Sequence, residues 1–565
     1  MREILEFFGK NPVNTINGFL RFAFPALALV ILGRCVYSLL TFRREPEIWA
    51  WLIGPGDKRY AVTHWETILG RAKNCDVILN HPTISRTHAV LTRYDDGSWT
   101  VSDVGSKGGI MVNGVATAME EVHYGDIICL GGVGFRLDPI TKKQAMAQAS
   151  ARTKAGSQMW PGVTMFYLTV FQVLTAFMLS LQIEAEEIFP AFFVLIVLQW
   201  AVFIFTRMLR RSGFEIEIIA FFLTTLGFSV IASDAPEELS KQLICLIAGI
   251  VVFFIICWAL RDLERAKKLR YLAALGSLAL LAYNLAFGEV QHGAKNWIFI
   301  GSFSFQPSEL VKLCFLFVGS STLQRIMTKR NMFLFIVYSA MICGCLVLMN
   351  DFGTALIFFA AFLTISYMRS GSFATVALIL TVTAVGAVMA VRFIPHIVDR
   401  FSAWGKVWED PLGKGFQQTR SMMCIASGGL FGLGLGRGML KYTVASDTDL
   451  VFAFVSEEWG LLMALLMVMV VMSLAVFVVR SASVERSAFY TIGASAAAAI
   501  LLLQMILNVF GTLDLLPLTG VTFPFVSNGG SSMIACWGLL GFIKAADTRQ
   551  NASLAVKLPS RKKEA

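Results

Sequence analysis

Long apolar runs separated by short polar loops fill most of the chain. A transmembrane helix needs about 20 consecutive, mostly apolar residues, so each long run is a candidate span. The pattern predicts one span before residue 45 and about twelve spans after residue 160. The predicted spans lie near 19–41, 162–182, 188–206, 215–232, 242–260, 271–288, 309–326, 332–349, 353–368, 373–393, 451–479, 488–510 and 531–545.

Residues 47–138 interrupt this pattern completely. Short runs of alternating apolar and polar residues are separated there by Gly, Asp and Asn, which is typical of strands joined by turns. The predicted strands are Ile48–Ile53, Thr67–Leu69, Val77–Leu79, His88–Thr92, Trp99–Ser102, Ile127–Leu130 and Gly134–Leu137. We therefore predict an antiparallel β-sandwich inserted between membrane spans.

The composition agrees with a polytopic membrane protein. Hydrophobic residues make up 56% of the chain and charged residues 15%, and the mean hydropathy is +0.66. These values exclude an ordinary soluble protein. The ten cysteines form no Cys-x-x-Cys pair, which argues against a zinc or disulfide framework. The first apolar run contains Arg21 and Arg34 and lacks a cleavage site of small residues, so we expect a retained anchor rather than a signal peptide.

The net charge of +10 is concentrated in a few short segments that all fall on one side of the membrane if the spans alternate. Those segments are Arg43-Arg44, Lys142 to Lys154, Arg207 to Arg211, Arg261 to Arg270, Lys329-Arg330 and Arg561 to Lys563. The acidic loops 184–187 and 234–238 fall on the other side. Basic loops usually lie on the cytoplasmic side of a membrane protein, so the distribution of the positive charge indicates the topology. We therefore predict no nucleic-acid partner.

Several motifs of the insert occur in the order found in one family of signalling modules. They are Gly70-Arg71, Cys75-Asp76, Ser85-Arg-Thr-His-Ala89, Trp99-Thr-Val-Ser-Asp103, Gly105-Ser106 and Val112-Asn113-Gly114. Together they resemble the forkhead-associated (FHA) domain, which binds phosphothreonine peptides. The resemblance covers the whole insert and implies a cytoplasmic module with a phosphorylated protein partner.

The resemblance also implies a phosphate site. Arg71 and Ser85 match the phosphate contacts of the family, and Arg86 is a neighbouring helper. His88 and Asp103 match positions that brace the loops. A phosphate dianion needs a fixed guanidinium and loop donors, which these residue types supply.

One position of the insert departs from the family pattern. Gly108 stands where the family usually has an Asn that holds the peptide backbone, and Lys107 is a candidate replacement for the lost contact. The alternative interpretation is an FHA fold used for packing or for contacts that do not need phosphate.

Two carboxylates mark the most informative stretch of the membrane region. Asp447 and Asp449 lie where a polar loop meets an apolar run, so an acid there can contact a polar substrate and a lipid carrier. Glu309 and Lys312 are three residues apart on one predicted helix, which indicates an ion pair or a ligand contact. Loops 293–308 and 511–532 are rich in Gly and Pro and should fold inward, because unpaired backbone groups cannot face lipid.

Five motifs from about Ile216 onward occur in the order found in a family of cell-wall polymerases. They are Gly293-Ala-Lys-Asn-Trp-Ile298 with Phe305-Gln-Pro-Ser-Glu-Leu-Val-Lys312; Asp351-Phe-Gly-Thr-Ala355; Gly415-Phe-Gln-Gln418 with Ser427-Gly-Gly-Leu-Phe-Gly-Leu-Gly-Leu-Gly436; Ser446-Asp-Thr-Asp-Leu-Val-Phe452 with Glu457-Glu458; and Asn508 with Leu516-Pro-Leu-Thr-Gly520 and Phe523 to Ser532. Each motif alone is weak. In this order they resemble the SEDS family, which includes RodA, FtsW and SpoVE.

The resemblance implies an inverting peptidoglycan glycosyltransferase that polymerises lipid II, the undecaprenyl-diphosphate-linked disaccharide pentapeptide. Asp449 matches the catalytic aspartate of the family and is the predicted base. Asp447 stands where the family commonly has His, and we interpret it as a solvated side chain, with mutual carboxylate repulsion as the alternative.

The remaining substrate contacts follow from the same motifs. The cationic candidates for the diphosphate are Lys312, Lys295, Arg400 and Arg437, although Asn296 replaces a usual Arg. Glu309, Asp447, Ser527 and Ser531 complete the predicted substrate-binding set. No tightly bound cofactor is expected. A divalent cation, Mg²⁺ or Mn²⁺, is compatible with a diphosphate leaving group, but no sequence cluster forms a protein-only site.

Two other function classes compete with the enzyme. A flippase for a lipid-linked precursor would also have many spans and intramembrane charges, but it would need no base at an outer loop. A non-catalytic scaffold for division or elongation would not need Asp449. The chain lacks the transpeptidase pair Ser-x-x-Lys with Lys-Thr-Gly, so a class B penicillin-binding protein is the expected partner in the bacterial cytoplasmic membrane.

These interpretations divide the chain into six segments. They are an N-terminal anchor (1–44), the FHA domain (45–140), a linker (141–160), two additional transmembrane helices (161–211), the SEDS-like membrane domain (212–546) and a basic cytoplasmic tail (547–565). The predicted fold class is a polytopic α-helical bundle with a cytoplasmic all-β sandwich.

Overall fold

The structure is a computed structural model of the full chain. It describes residues 12–41, 48–73, 75–94, 97–147, 160–211, 213–261, 263–291, 294–301, 303–322, 329–370, 373–374, 376–381, 384, 404–482 and 487–547. Arg400 and most of the predicted span 373–393 lie outside these residues.

The insert is a sandwich of two sheets. Its strands are β1 (Ala50–Ile53), β2 (Arg59–Val62), β3 (Glu66–Gly70), β4 (Val77–Ile78), β5 (Ala89–Arg93), β6 (Trp99–Asp103), β7 (Ile110–Val112), β8 (Val115–Thr117), β9 (Met119–Val122), β10 (Ile127–Leu130) and β11 (Val133–Pro139). One sheet has the order β2-β1-β11-β10-β7-β8 and the other β4-β3-β5-β6-β9. Alternate residues such as Leu52, Leu91 and Leu137 are fully buried between the sheets, as period-two patterning requires.

All seven predicted strands of the insert are confirmed, with ends that differ by a few residues. Strands β2, β7, β8 and β9 were not predicted, because each has only three or four residues, too few for a period-two pattern to be distinguished. The sandwich is also not wholly antiparallel, since β3 and β4 pair in parallel with Leu69 opposite Val77.

The membrane region is an α-helical bundle. Its helices are α1 (Pro12–Thr41), α2 (Pro161–Gln182), α3 (Ile188–Met208), α4 (Glu215–Asp234), α5 (Leu239–Leu260), α6 (Leu263–Phe287), α7 (Pro307–Thr322), α8 (Lys329–Leu348), α9 (Phe352–Ser370), α10 (Phe416–Gly428), α11 (Val451–Glu458), α12 (Leu461–Ala482), α13 (Ala488–Thr512) and α14 (Gly530–Ala545). Among the described residues, nine helices are long and apolar enough to cross a membrane, and two shorter apolar helices accompany them.

Helix α4 forms the centre of the bundle. Its most apolar stretch is entirely buried, as expected for a helix that is hydrophobic on all sides. Near its start, Glu217 forms an ion pair with Lys544 of α14 at 2.8 Å, and both side chains are almost completely buried. Lys544 also donates to the carbonyl of Gly213 at 2.8 Å, so α4 and α14 are joined by a satisfied polar contact.

The predicted span 451–479 is wrong as a single helix. The structure divides it into α11 and α12 at Gly460, whose φ is +95°. A side chain at this position would meet the carbonyl of Leu430, so the break brings two backbone segments together. Loop 293–308 also contains structure that was not predicted, because β12 (Glu289–Gln291), β13 (Ala294–Ile300) and β14 (Phe303–Phe305) form a small sheet there.

The bundle has two distinct ends. At the insert end, Ser38 donates to Glu215 at 2.7 Å and Arg480 donates to the carbonyl of Leu40, which fixes the end of α1 from which the chain enters the insert. At the opposite end, Ser446 donates to Asp234 at 3.1 Å. We name this second end the loop end, and it contains Asp449.

Candidate functional site

A tight loop at the loop end presents Asp449 just before helix α11. Ala445 has a φ of +62°, and its carbonyl accepts hydrogen bonds from the backbone N–H groups of Asp449 and Leu450 at 3.0 and 3.2 Å. The loop therefore closes on itself one residue before the helix begins. Asp449 is fixed at the junction of loop and helix, which is where the sequence predicted a base.

The backbone of Asp449 is fixed from α13. Asn508 donates from its amide Nδ2 to the carbonyl of Asp449 at 3.0 Å and to the carbonyl of Val521 at 2.9 Å. A Cβ at Gly520 would lie 3.3 Å from Asp449 Oδ2, and Gly520 has a φ of +68°. The carboxylate of Asp449 thus lies beside a glycine, in a place where another residue would crowd it.

Asp447 belongs to a different group of acids from Asp449. Asn528 donates from its Nδ2 to Asp447 Oδ2 at 2.7 Å and to Glu238 Oε2 at 2.6 Å. Burial, followed by repulsion from Glu238, raises the pKa of the Asp447 carboxyl, and the hydrogen bond from Asn528 opposes the increase. Asp447 is therefore half-buried and hydrogen-bonded, and not the fully solvated side chain that the sequence predicted.

Replacing Asn528 with Asp should make the stability strongly dependent on pH. A third carboxylate at position 528 would be repelled by the acids around it only in the folded state, which raises the folded pKa values of Asp447 and of the introduced carboxyl above the unfolded ones. Stability is then greatest at low pH and is lost as the pH rises through the folded pKa values. We expect Asn528→Asp to cost about 1–3 kcal/mol near neutral pH and much less in mild acid.

The measurement is the thermal unfolding midpoint of Asn528→Asp at about pH 5 and about pH 8, with the uncharged Asn528→Ser as control. If Asn528→Asp lowers the unfolding midpoint by the same amount at both pH values, and by no more than Asn528→Ser does, the account of Asp447, Glu238 and Asn528 as one acidic group is contradicted.

A second polar group joins the first two sequence motifs. Asp351 Oδ2 accepts from Asn296 Nδ2 at 2.8 Å and from Gln306 Nε2 at 3.1 Å. Asp351 Oδ1 also accepts from the backbone N–H of Thr354 at 3.1 Å, which caps the start of α9. Asn296 therefore replaces the Arg of the family pattern with a neutral partner for Asp351.

The same group extends to the last motif. A Cβ at Gly353 would lie 2.9 Å from the side chain of Val521, so the start of α9 packs directly on segment 519–521. The N–H of Gln306 donates to Ser531 Oγ at 3.4 Å. Gly520, which lies beside the Asp449 carboxylate, belongs to this packed segment. Motifs far apart in sequence thus form one side of the Asp449 site.

The predicted cations occupy different surroundings. Lys312 forms an ion pair with Glu309 at 2.7 Å, with side chains only 1% and 6% exposed. Lys295 donates to the carbonyls of Leu285 and Ala286 at 2.8 and 3.3 Å, so its ammonium caps the last turn of α6.

The fourth cation, Arg437, lies in the Gly-rich loop after α10, and its N–H donates to the carbonyl of Gly434 at 3.3 Å. Neither lysine presents an unengaged ammonium, because each is bound to protein acceptors.

The predicted serines support the loops. Ser527 donates to the carbonyl of Thr448 at 2.6 Å and accepts from the N–H of Phe523 at 2.8 Å. It thereby ties segment 523–527 to the residue that precedes Asp449. Ser531 accepts the hydrogen bond from Gln306, so both serines have protein partners.

The Gly-rich loop, residues 427–438, packs backbone to backbone on the end of α11. Side chains at Gly428 and Gly432 would meet the carbonyls of Ser456 and Glu458, so only glycine fits this approach. The N–H groups of Leu433 and Gly434 complete the contact by donating to the carbonyls of residues 457 and 458 at 2.8 and 3.0 Å.

The two glutamates of the fourth motif fix the end of the Gly-rich loop. Glu457 accepts from the N–H groups of Met439 and Leu440 at 2.9 and 3.0 Å. Glu458 accepts from the N–H of Gly438 at 3.1 Å and from Ser233 at 2.9 Å. These carboxylates hold the loop against α11 and α4, which explains their place in the motif without a substrate contact.

The predicted phosphate residues of the insert lie on three adjoining loops. The N–H of Arg71 donates to the carbonyl of Ser85 at 3.0 Å, and the N–H of Lys107 donates to Ser85 Oγ at 3.0 Å. Arg71, Arg86 and Lys107 are exposed. Three exposed cationic residues therefore adjoin Ser85 in sequence or through the backbone, and a dianion would be attracted there.

His88 and Asp103 brace these loops, as predicted. His88 is fully buried and bonds Gly109 O at 2.9 Å, while Asp103 accepts from the N–H of Ser106 at 3.1 Å. A Cβ at Gly108 would lie 2.8 Å from Gly131 Cα. The close approach of these two loops explains why glycine stands where the family usually has Asn.

Several residues of the site were missed by sequence reasoning. Asn528, Asp351 and Gln306 lie inside the quoted motifs but received no role, because their partners are distant in sequence. Asp234 and Glu238 were read only as an acidic outer loop. Their position in the sequence could have indicated a role, since acids on the same side of the membrane as Asp449 are candidates for the same site. Within the described residues, no three His, Cys, Asp or Glu side chains form a metal-binding group.

The chain matches two sequence families. Residues 218–552 match the model of the FtsW, RodA and SpoVE family, described as cell cycle protein, and residues 67–131 match that of the FHA domain.

Individual relatives agree. Peptidoglycan glycosyltransferase RodA of Mycobacterium tuberculosis is 30% identical over 327 residues, covering 54% of this chain and 69% of the relative. Stage V sporulation protein E of Bacillus subtilis is 33% identical over 258 residues, covering 44% and 69%. A crystal structure of Thermus thermophilus RodA is 24% identical with a TM-score of 0.46, and covers 60% of this chain and 97% of that chain.

Proposed function

Because the chain belongs to the FtsW, RodA and SpoVE family of cell cycle proteins, we propose that it is a peptidoglycan glycosyltransferase that polymerises lipid II. The observation that carries the proposal is the position of Asp449. Its carboxylate lies beside Gly520, at the meeting point of loop 445–450, helix α13 and segment 519–521. Three segments, drawn from two of the sequence motifs, thus converge on one carboxylate at the loop end of a membrane bundle.

The proposed reaction joins two lipid II molecules. The 4-hydroxyl oxygen of one GlcNAc attacks the anomeric carbon of the MurNAc on the other molecule. Asp449 takes the hydroxyl proton, the bond from the anomeric carbon to the diphosphate oxygen breaks, and the lipid diphosphate leaves with the bonding electrons. Attack opposite to the leaving group inverts the anomeric centre.

Charge on the leaving diphosphate requires cationic partners. Lys312 and Lys295 are engaged with protein acceptors. Arg437, in the Gly-rich loop that packs on α11, and Arg400, which lies outside the described residues, stay candidates for the diphosphate together with the two lysines. A divalent cation with the diphosphate stays a prediction, and no step depends on it.

We place Asp449 on the extracytoplasmic side and the insert in the cytoplasm. The basic segments fall on the side of the insert, which supports this orientation. The chain leaves α1 and enters α2 at the insert end of the bundle, whereas Asp449 lies at the loop end. Lipid II with its sugars outside the cell would then reach the site without crossing the membrane again.

We further propose that the insert binds a phosphothreonine-containing protein through Arg71, Ser85, Arg86 and Lys107, and so regulates the enzyme. The exposed cations around Ser85 support this role. A class B penicillin-binding protein is the proposed partner outside the membrane, because the chain lacks the transpeptidase motif pair.

Arg71→Ala should abolish binding of phosphothreonine peptides while polymerisation of lipid II continues at the wild-type rate. The substitution removes a guanidinium from the phosphate site, and that site lies at the opposite end of the bundle from Asp449. The measurement is titration of the full chain with paired phosphorylated and unmodified peptides.

Lys58→Ala is the matched control for Arg71→Ala, because Lys58 is an exposed cation of the insert outside the three loops. If wild-type protein shows no preference for phosphate across a broad peptide panel, the insert serves packing instead.

The proposed enzyme is separated from a flippase by following labelled lipid II in proteoliposomes. A polymerase produces glycan strands and free lipid diphosphate. Movement of lipid II between leaflets without either product would favour the transporter. A chain that does neither, while still binding its partners, would be a scaffold.

A further inference from the structure

Helix α1 lies outside the family match at 218–552 and precedes the insert, yet it contacts the Gly-rich loop directly. Asn17 donates from its Nδ2 to the carbonyl of Leu433 at 3.3 Å, and Arg21 donates from its Nε to the carbonyl of Phe431 at 3.4 Å. Asn17 is only 6% exposed, so its amide bonds the loop carbonyl and is shielded from water. Two side chains of α1 therefore satisfy carbonyls of the loop.

The fit between α1 and the loop is close. Gly434 has a φ of +107°, and a side chain there would meet the amide of Asn17. The ring of Phe22 lies 4.6 Å from that of Phe431, and the ring of Phe24 lies 5.0 Å from that of Trp459. A small cavity lies between these groups and Glu458. The contact is thus made by hydrogen bonds and by aromatic packing on both sides of the helix.

The loop transmits the position of α1 to the site through a short chain of contacts. The N–H groups of Leu433 and Gly434 donate to the carbonyls of Glu457 and Glu458, the last residues of α11. Helix α11 has eight residues, and it begins at Val451, two positions after Asp449. Because a helical segment this short moves as a unit, a displacement of the loop moves the residue at its other end.

We propose that α1 is a positioning element of the site, and that Asn17 and Arg21 hold the Gly-rich loop so that α11 presents Asp449 in its productive geometry. Neither residue contacts the reacting atoms. This inference rests on the proposed glycosyltransferase function and on Asp449 as its base. Because the insert follows α1 in the sequence, α1 also connects the insert to the site through the polypeptide chain.

The test is the kinetics of the full-length variant Asn17→Ala/Arg21→Met with lipid II. We expect kcat to fall about tenfold, because small misplacements of a catalytic group are costly. KM should stay within about twofold, because neither residue contacts the substrate. Hydrogen exchange of backbone amides in 431–440 should rise in the variant, since the loop loses two donors.

Arg34→Met is the matched control, because it removes the same side chain from the same helix but near Thr164, to which Arg34 donates at 3.1 Å. It should leave kcat and the exchange of 431–440 at wild-type values. Asn17→Ala and Arg21→Met are measured singly if the double variant does not accumulate. Arg21→Lys should recover part of the rate lost in Arg21→Met, because a donor is restored.

The proposal is overturned if the variants keep the wild-type kcat, or if kcat falls equally in Arg34→Met. A loss confined to KM would also overturn it. If the wild-type protein itself forms no glycan, the glycosyltransferase proposal fails instead, and unchanged exchange in 431–440 would still decide against the positioning role.

Discussion

Asp449→Asn should lower the initial rate of glycan formation by about 10²-fold or more, because the amide keeps the shape of the side chain but cannot accept the proton. The side-chain amide of Asn508 bonds the backbone carbonyl of residue 449, and this bond does not involve the side chain that is replaced. The fold of the loop should therefore survive. The rate is followed as release of lipid diphosphate from labelled lipid II.

Asp447→Asn is the matched control for Asp449→Asn. It removes a carboxylate two residues away, in the group that contains Asn528 and Glu238. Its effect on the rate should be much smaller. If the two variants lose rate equally, the role of the base cannot be assigned to Asp449 alone.

Lys312→Met should destabilise the protein by about 3–5 kcal/mol, because it leaves Glu309 as a buried carboxylate without its cation. The two side chains lie 2.7 Å apart and are almost inaccessible to solvent. Among the described residues, Glu309 Oε2 has no hydrogen-bond partner, so the pair depends on the single bond through Oε1. The thermal unfolding midpoint and the yield of folded protein measure the loss.

The double variant Glu309→Gln/Lys312→Met is the control for this prediction. It removes both charges and should recover much of the stability lost in Lys312→Met. If Lys312→Met instead folds with a normal midpoint and only raises KM for lipid II, the ligand contact would replace the ion pair as the role of Lys312.

Sequence reasoning succeeded where the information is local. The apolar runs located most helices, and the alternating pattern located seven strands of the insert. Glu309 and Lys312 form an ion pair, one of the two roles predicted for them, because residues three apart share a helix face. The buried His88 and the capping Asp103 confirm two bracing roles that the resemblance to the FHA domain implied.

The failures concern contacts between distant segments. Asn528 and Glu238 are separated by 290 positions, so the hydrogen bond that fixes the surroundings of Asp447 could not be read from either segment alone. Gly460 looked like one glycine in an apolar run, and its backbone approach to Leu430 breaks the helix. The bonds from the Lys295 ammonium to carbonyls at the end of α6 likewise join segments that no local pattern connects, and its contact with a diphosphate stays a prediction.

The most direct test of the central claim is product analysis with purified full-length protein, a class B penicillin-binding protein and labelled lipid II. The wild-type protein should produce glycan strands of many disaccharides with inverted anomeric configuration, releasing one lipid diphosphate for each bond formed. The Asp449→Asn protein, equally well folded, should leave lipid II almost unchanged. Strands formed at comparable rates by both proteins, or by neither, would contradict the assignment of this chain as a polymerase with Asp449 as its base.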